Sequence, residues 1–228
     1  MRRIWLGLRP SQMAPEDLHW PLIECRPTTR PEGWSLAWKR ATDAIWTSRT
    51  AVQYAVELLT PQERQFYARI RHWCVGAGTA AAIQRTGGGA YFVALQETAE
   101  GLIQLLEEKA PLDGSWIWLH SAQSREVMRL WAQRSHRILY DHPLYSTHVK
   151  SDCPPPPMTP GDQLVFTSPT TVYAWQSYGW SPPDDVTVHA IGPITERALL
   201  LAMPGRIVEC LDDEKEDLAN RVPRNRGS

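Results

Sequence analysis

Two stretches of the sequence share one pattern, in which an apolar run ends at Thr-Ser and a helix-compatible run follows directly. They are AIWTSRTAVQYA at residues 44–55 and VFTSPTTVYAW at residues 165–175. Ser48 and Ser168 stand where helix N-caps are preferred, and Pro169 lies at a favoured first helical position. The pattern predicts a buried strand that leads straight into a helix, and the free backbone N–H groups of such a helix start attract anions.

A second pair of loops, each following a further apolar run, aligns in the same order. The sequences are VGAGTAAAI at residues 75–83 and IGPITERAL at residues 191–199. The matched residues are Ser48 with Ser168, Gly76 with Gly192, and Thr79 with Thr195. This order predicts two similar α/β domains related by duplication, in which glycines let a ligand approach the backbone and hydroxyls donate to carboxylates. The alternative is that the serines only cap their helices.

Short apolar runs alternate with helical patterns in the rest of the chain. This alternation predicts parallel sheets covered on both faces, with ligands at the carboxyl ends of the strands. Residues 26–40 have the composition of a connection, and the prolines at 154–157 that of a linker. Six histidines show no ligand spacing and are predicted at the surface or at strand ends: His72, His120, His136, His142, His148 and His189.

The bulk composition limits the class of partner. The chain has 228 residues, of which 43% are hydrophobic, and a net charge of −1. The length allows two domains, and the charge balance indicates neither nucleic acid nor a membrane surface as a partner. Apolar segments are too short for a bilayer span or a signal peptide, so a cytoplasmic protein is expected.

The motifs of common catalytic and cofactor sites are missing from the sequence. The four cysteines are widely spaced without a CxxC pair, so no metal site is expected. G-x-S-x-G, P-loop and HExxH motifs are absent. Gly76-Ala77-Gly78 is a GxG after a strand, but no acidic residue follows at a plausible strand end for a dinucleotide. We therefore expect no cofactor.

Short motifs over most of the chain resemble, in the right order, those of the uroporphyrinogen-III synthase family. They are Leu8-Arg9-Pro10, Pro21-Leu22-Ile23, Ile45 to Val52, Val75 to Ala80, Leu144 to Thr147, Phe166 to Thr170, and Ile191 to Leu199. The sequence also departs from the family's motifs. Ile194 replaces a threonine, Trp46 and Arg49 are unusual in their motif, and the region after Gly205 is short.

The resemblance implies a specific α/β architecture. Two flavodoxin-like domains with parallel sheets are expected, one inserted in the other and joined by two connecting strands. The discontinuous domain would comprise residues 1–32 plus 146–228, and the inserted domain residues 33–145.

The resemblance also implies an enzyme of porphyrin and heme biosynthesis, a carbon–oxygen lyase. Its substrate would be hydroxymethylbilane, a linear tetrapyrrole with eight carboxylates. The molecule loses water and closes to uroporphyrinogen III with inversion of ring D. Closure without inversion is spontaneous, so positioning should carry most of the specificity. A monomer is expected, since one chain would supply both walls of the cleft.

Carrying the family's motifs over residue by residue gives a set of candidate site residues. Tyr145 resembles the family's cleft tyrosine and is the catalytic candidate, a donor that assists departure of the hydroxyl; the alternative is a packed linker aromatic. Arg125 is a further candidate for a carboxylate contact. The residues implied in substrate binding are Arg9, Ser48, Gly76, Thr79, Ser121, Ser168, Gly192 and Thr195.

Two other functions stay open at this point. The chain could be a non-catalytic member of the same fold that binds a tetrapyrrole or another polyanion. It could also be an unrelated two-domain α/β protein with a small-molecule cleft. Supplying hydroxymethylbilane and resolving the product isomers separates these from the lyase.

Overall fold

The computed structural model describes residues 2–8, 13–111 and 113–211, in which short strands alternate with helices. The strands are β1 (Arg3–Trp5), β2 (Leu18–His19), β3 (Ile23–Pro27), β4 (Asp43–Trp46), β5 (Arg71–Cys74), β6 (Tyr91–Val93), β7 (Ser115–Ser121), β8 (Ile138–Val149), β9 (Gln163–Phe166), β10 (Thr187–Ala190) and β11 (Val208–Cys210). The helices are α1 (Trp34–Arg40), α2 (Arg49–Leu58), α3 (Pro61–Tyr67), α4 (Ala77–Arg85), α5 (Ala99–Lys109), α6 (Val127–Arg134), α7 (Pro169–Ser177) and α8 (Pro193–Ala202).

The chain divides into two compact units. The first combines Met1–Glu24 with His148–Ser228, and the second is Cys25–Thr147. The domain limits expected from the resemblance, 1–32 plus 146–228 and 33–145, stay a prediction.

The first unit is built on a five-stranded sheet with the order β11-β10-β9-β1-β2. Its strand pairs run parallel. In β9, Leu164, Val165 and Phe166 are fully buried, as are Ile4 in β1 and Val188 in β10. Such continuous apolar burial is typical of a strand covered on both faces, which explains why β9 carries no polar alternation.

The second unit contains most of a six-stranded sheet with the order β3-β8-β7-β4-β5-β6. The pairs from β8 to β6 run parallel. Ala44, Ile45 and Trp46 in β4 are fully buried. The α/β class with parallel sheets is thus confirmed.

The first sheet and the five strands of the second other than β3 have the same strand order once the counting starts at different strands. In the first unit, taken in chain order from β1, the order is 2-1-3-4-5. In the second, counting from β7 through β8 and then β4, β5 and β6 gives the same order. This is the flavodoxin-like order of doubly wound sheets. It makes β4 equivalent to β9 and β5 equivalent to β10, as the aligned motifs predict.

The prediction that residues 26–40 form only a connection is wrong. They contain the end of β3 and all of α1. The helix begins after Gly33, whose φ of 73° is in the left-handed region, and it buries Trp34, Ala37 and Trp38. These three residues have the i, i+3, i+4 spacing of one helix face, and the neighbouring prolines and glycine hide it in the sequence.

Four of the histidines that the sequence places at the surface or at strand ends are buried. His72, His120, His142 and His189 are all under 8% exposed. Each lies in a strand of a parallel sheet, where both faces are covered by helices. The absence of a ligand spacing in the sequence therefore does not show which histidines the sheets bury.

Two kinds of feature are absent from the part of the chain that the structure describes. No cluster of three or more His, Cys, Asp or Glu side chains there could hold a metal ion. No helix among them combines the length and apolar content that crossing a membrane requires.

Candidate functional site

The two aligned serines both cap helices at the carboxyl ends of central strands. Ser48 follows β4 and accepts a hydrogen bond from the Ala51 backbone N–H at 3.0 Å. Ser168 follows β9 and accepts one from the Thr171 backbone N–H at 3.3 Å. Their backbones are extended, as an N-cap requires. The capping prediction is confirmed at both positions.

Tyr145 lies on β8 beside the first of these caps. The register of β7 and β8 shifts so that Ser121 faces Tyr145, which marks a bulge. The phenol oxygen of Tyr145 lies 2.9 Å from the Ser48 hydroxyl oxygen. Its ring packs against the ring of Tyr54, with centroids 5.6 Å apart. Strand β8 thus places a phenol at the start of α2.

The environment of Tyr145 keeps its phenol protonated. The side chain is 6% exposed, and this burial raises the pKa of Tyr145. Hydrogen bonds with Ser48 and with Thr50 act in the opposite direction and lower it. A phenol that holds its proton at neutral pH can serve as a hydrogen-bond donor to a leaving oxygen.

The start of α4 already holds a carboxylate of the chain itself. The Ala77 backbone N–H donates to Glu97 Oε1 at 2.9 Å. A Cβ added to Gly76 would lie 2.5 Å from the Glu97 carboxyl carbon, so glycine leaves room for this approach. Thr79, in the first turn of the helix, is 4% exposed. The loop therefore binds a carboxylate through the Ala77 backbone N–H, as helix starts do.

The equivalent start of α8 has Gly192 as its N-cap residue and Pro193 in the first turn. Thr195 is 4% exposed, like its counterpart in α4, whereas Ile194 is 62% exposed. The departure at Ile194 thus presents an apolar side chain where the family pattern has a hydroxyl.

The end of β7 carries the remaining serine. The Ser121 hydroxyl donates to Gln123 Oε1 at 2.7 Å and accepts from the Gln123 backbone N–H at 3.3 Å. Arg125 makes a bidentate pair with Glu100, at 2.6 and 2.9 Å. Both side chains of that pair are more than half exposed, so the pair lies at the surface.

A cluster of polar and charged side chains, of which His120 is buried, stands behind this strand end. His120 Nδ1 is 2.7 Å from the Ser121 carbonyl oxygen, and its Nε2 is 2.6 Å from Asp141 Oδ1. Asp141 also accepts from Arg129, and the His120 ring stacks on Trp118 at 3.6 Å. The cluster supports the strand on which Ser121 lies. It was missed in the sequence because its members are far apart along the chain.

The predicted site residues that the structure describes are divided between the two units. Because β4 pairs with both β5 and β7, the loops after these strands are neighbours. The second unit contains Ser48, Gly76, Thr79, Ser121 and Tyr145. The first contains Ser168, Gly192 and Thr195. Arg9 lies outside the described residues.

Thr50 and Glu97 are contacts that the sequence did not single out. Thr50 follows the N-cap residue by two positions, and its hydroxyl in the TSRT motif is the sequence feature that could have indicated this contact. Glu97 lies in the loop after β6, and nothing in its sequence neighbourhood indicated α4.

Comparison with known families identifies the chain. The family model for uroporphyrinogen-III synthase HemD matches residues 16–209, which is most of the sequence. The chain belongs to the uroporphyrinogen-III synthase family. It is therefore an enzyme of porphyrin and heme biosynthesis that acts on a tetrapyrrole and has the cyclising synthase activity.

Solved structures of uroporphyrinogen-III synthases share its fold. The uroporphyrinogen-III synthetase of Helicobacter pylori is 17% identical, with a TM-score of 0.68 over 98% of this chain and 100% of that one. A mutant uroporphyrinogen III synthase of Thermus thermophilus is 16% identical, with a TM-score of 0.59 over 96% and 99%. Among curated protein sequences, none matches the chain.

Proposed function

We propose that this synthase converts hydroxymethylbilane to uroporphyrinogen III, with Tyr145 assisting departure of the substrate's hydroxyl. The carbon–oxygen bond breaks and the hydroxyl leaves with a proton as water. The resulting azafulvene is attacked by ring D, and the spiro intermediate formed at the substituted carbon leads to inversion. The position of the Tyr145 phenol at a helix start carries this assignment.

The electrostatics of the site suit departure of a hydroxyl. A phenol donates to the leaving oxygen, and charge that develops on the phenol oxygen is stabilised by the positive end of the α2 dipole. Burial of Tyr145 keeps competing water away and raises the pKa of its phenol, so the donor stays protonated. The donor assists a step whose outcome depends mainly on how the substrate is folded.

We further propose that strand-end loops bind the eight carboxylates of the substrate. The Glu97 carboxylate on the Ala77 N–H supports this use of the α4 start, because an acetate or propionate group has the same chemistry. Gly192 offers the equivalent backbone approach at α8. The proposed binding residues are Arg9, Ser48, Gly76, Thr79, Ser121, Ser168, Gly192 and Thr195.

We also propose that the enzyme is a cytoplasmic monomer without a nucleic-acid partner. Its four cysteines are free, which fits a reducing compartment. Its net charge of −1 gives no attraction to polyanions of the nucleic-acid type. Light scattering during gel filtration at working concentration gives the mass directly, and a dimer mass would overturn the monomer.

The variant Tyr145→Phe tests the proposed role of the phenol. We expect kcat for uroporphyrinogen III to fall about 100-fold, a size typical of a lost general acid. The melting temperature should stay near the wild-type value, since the ring and its packing remain. Rapid supply of hydroxymethylbilane, followed by chromatographic resolution of isomers I and III, measures the effect.

Tyr67→Phe is a matched control for this variant. Tyr67 is another buried tyrosine of the same unit, 2% exposed, whose hydroxyl lies 2.6 Å from the Thr86 hydroxyl. It is not among the proposed site residues, so its loss should leave kcat unchanged. Full production of isomer III by Tyr145→Phe would remove Tyr145 from the mechanism.

A further inference from the structure

We propose that Ser48 is a positioning residue for Tyr145, and that its hydroxyl donates to the phenol oxygen and so directs the phenol proton towards the substrate. This inference rests on the proposed role of Tyr145. It also changes the role of Ser48, from a direct carboxylate ligand to a group that acts through the tyrosine.

The contacts of the Ser48 hydroxyl allow its hydrogen to point at the phenol oxygen of Tyr145. A serine hydroxyl has one hydrogen to donate and two lone pairs that accept. The Ala51 backbone N–H can only donate, so at 3.0 Å it uses a lone pair of Ser48 Oγ. The phenol oxygen of Tyr145 lies 2.9 Å away and can accept the hydrogen. The N-cap bond thus occupies one lone pair of the serine, and in the arrangement that we propose the serine hydrogen points at the phenol oxygen.

This arrangement leaves the phenol hydrogen for another acceptor. The Thr50 hydroxyl is another polar group beside the phenol, and the oxygen of a hydroxyl can accept such a hydrogen. A substrate hydroxyl that displaces Thr50 would receive the same hydrogen. Ser48 therefore fixes which lone pair of the phenol oxygen is occupied, and with it the direction of the proton.

The ring of Tyr145 is held by groups other than Ser48. The Ala122 backbone N–H donates to the Tyr145 carbonyl oxygen at 2.7 Å. The Tyr54 ring packs against the Tyr145 ring. The Tyr54 hydroxyl in turn donates to the Cys25 carbonyl oxygen at 3.2 Å. Because the ring is already fixed, the variable that remains is rotation of the phenol hydroxyl. Control of that rotation is what Ser48 adds.

The equivalent serine of the other unit shows that capping alone does not need a phenol. Ser168 accepts from the Thr171 N–H, and the Ser168 N–H donates back to the Thr171 hydroxyl at 3.3 Å. This reciprocal capping box completes the cap through its own helix. The duplicated motif has thus kept the cap in both units and paired it with a tyrosine in the second.

Three substitutions at position 48 separate positioning from capping. Ser48→Thr keeps both the cap acceptor and the donor, so kcat should stay within about two-fold of wild type. Ser48→Ala removes both, and we expect kcat to fall about ten-fold with little change in KM. Ser48→Asp is a good N-cap but cannot donate when ionised, so it should be at least as impaired as Ser48→Ala.

The ionisation of the phenol gives a readout that a capping role would not move. Replacing Tyr145 by a fluorinated tyrosine brings its ionisation into a range followed by absorbance. A donated hydrogen bond stabilises the phenolate, so Ser48→Ala should raise the pKa at position 145 and Ser48→Asp should raise it further. Ser48→Thr should restore the wild-type value.

Thr60→Ala provides the control for loss of a cap. Thr60 caps α3 through the Glu63 N–H and lies outside the proposed site, so this variant should lower Tm without changing kcat. Wild-type turnover by Ser48→Asp, with an unmoved pKa at position 145, would reduce Ser48 to a cap and overturn the inference. If Tyr145→Phe is inactive while all Ser48 variants are active, the proposed function stands and only the inference fails.

Discussion

Among single residues, a carboxylate in the core of the second unit shows how a buried charge is tolerated. Asp43 is fully buried on β4. Its two oxygens accept from Arg71 at 2.7 and 2.8 Å, and Oδ1 also accepts from the Trp73 indole N–H at 2.8 Å. The pair of Arg125 and Glu100 has the same bidentate chemistry on the surface. The two pairs differ mainly in burial.

We expect Asp43→Asn to lower the free energy of unfolding by about 2 kcal/mol, because one buried oxygen that accepts from Arg71 or Trp73 becomes an –NH2 group that faces these donors. Glu100→Gln, the matched change in the exposed pair, should cost less than about 1 kcal/mol, since water replaces the lost contact. Urea unfolding of both variants beside wild type measures the difference. Similar small losses in the two variants would contradict the importance of burial.

At the scale of elements, one histidine joins two strands and a helix. His72 on β5 is fully buried. Its Nδ1 accepts from the Trp46 indole N–H at 2.9 Å, and its Nε2 lies 2.9 Å from the carbonyl oxygen of Tyr67, at the end of α3. An indole donor on one nitrogen and a carbonyl acceptor on the other require the neutral ring. The junction of β4, β5 and α3 therefore depends on His72 remaining unprotonated.

Acid should weaken this junction within a defined pH range. Burial lowers the pKa of His72 to about 4, against about 6.5 in an unfolded chain. The unfolded state binds the proton more readily. The contribution of neutral His72 to the free energy of unfolding is therefore complete above pH ~6.5 and is lost as pH falls towards ~4. Its size is at most about 3 kcal/mol.

Comparison of wild type with His72→Phe isolates this contribution from the carboxylates that titrate in the same range. The variant removes the titrating group, so its free energy of unfolding should fall less steeply between pH 6.5 and 4 than that of wild type. Guanidinium unfolding at closely spaced pH values measures both slopes. Parallel curves for the two proteins would show that His72 ionises alike in the folded and unfolded states.

Elements defined by local chemistry were predictable from the sequence, and contacts between distant elements were not. The strand, cap and helix around Ser48 and Ser168 follow from neighbouring residues, and both caps were found. Helix α1 was missed because its buried face is short and lies beside prolines. The contact between Ser48 and Tyr145 joins residues 97 positions apart. It depends on the pairing and bulge of β8, which no local pattern encodes.

For the whole molecule, the two units repeat one strand order from different starting strands. Chain continuity therefore differs between them, while the serine-capped helix follows the same central strand in each. The second unit has its own apolar core on both faces of its sheet, one centred on Trp38 and Trp46 and the other on Trp73 and Trp118. A unit with two such layers meets the requirement for independent folding.

We expect a segment of residues 23–149, which keeps β3 and β8 complete, to fold without the rest of the chain. Circular dichroism should show one cooperative thermal transition, and hydrogen exchange should protect β4, β5 and β7 as in the full chain. The segment retains Tyr145 but lacks Ser168, Gly192 and Thr195, so it should release only the spontaneous isomer I from hydroxymethylbilane. An unfolded segment would show that the core of this unit depends on the first, and production of isomer III would show that the binding residues of the first unit are dispensable.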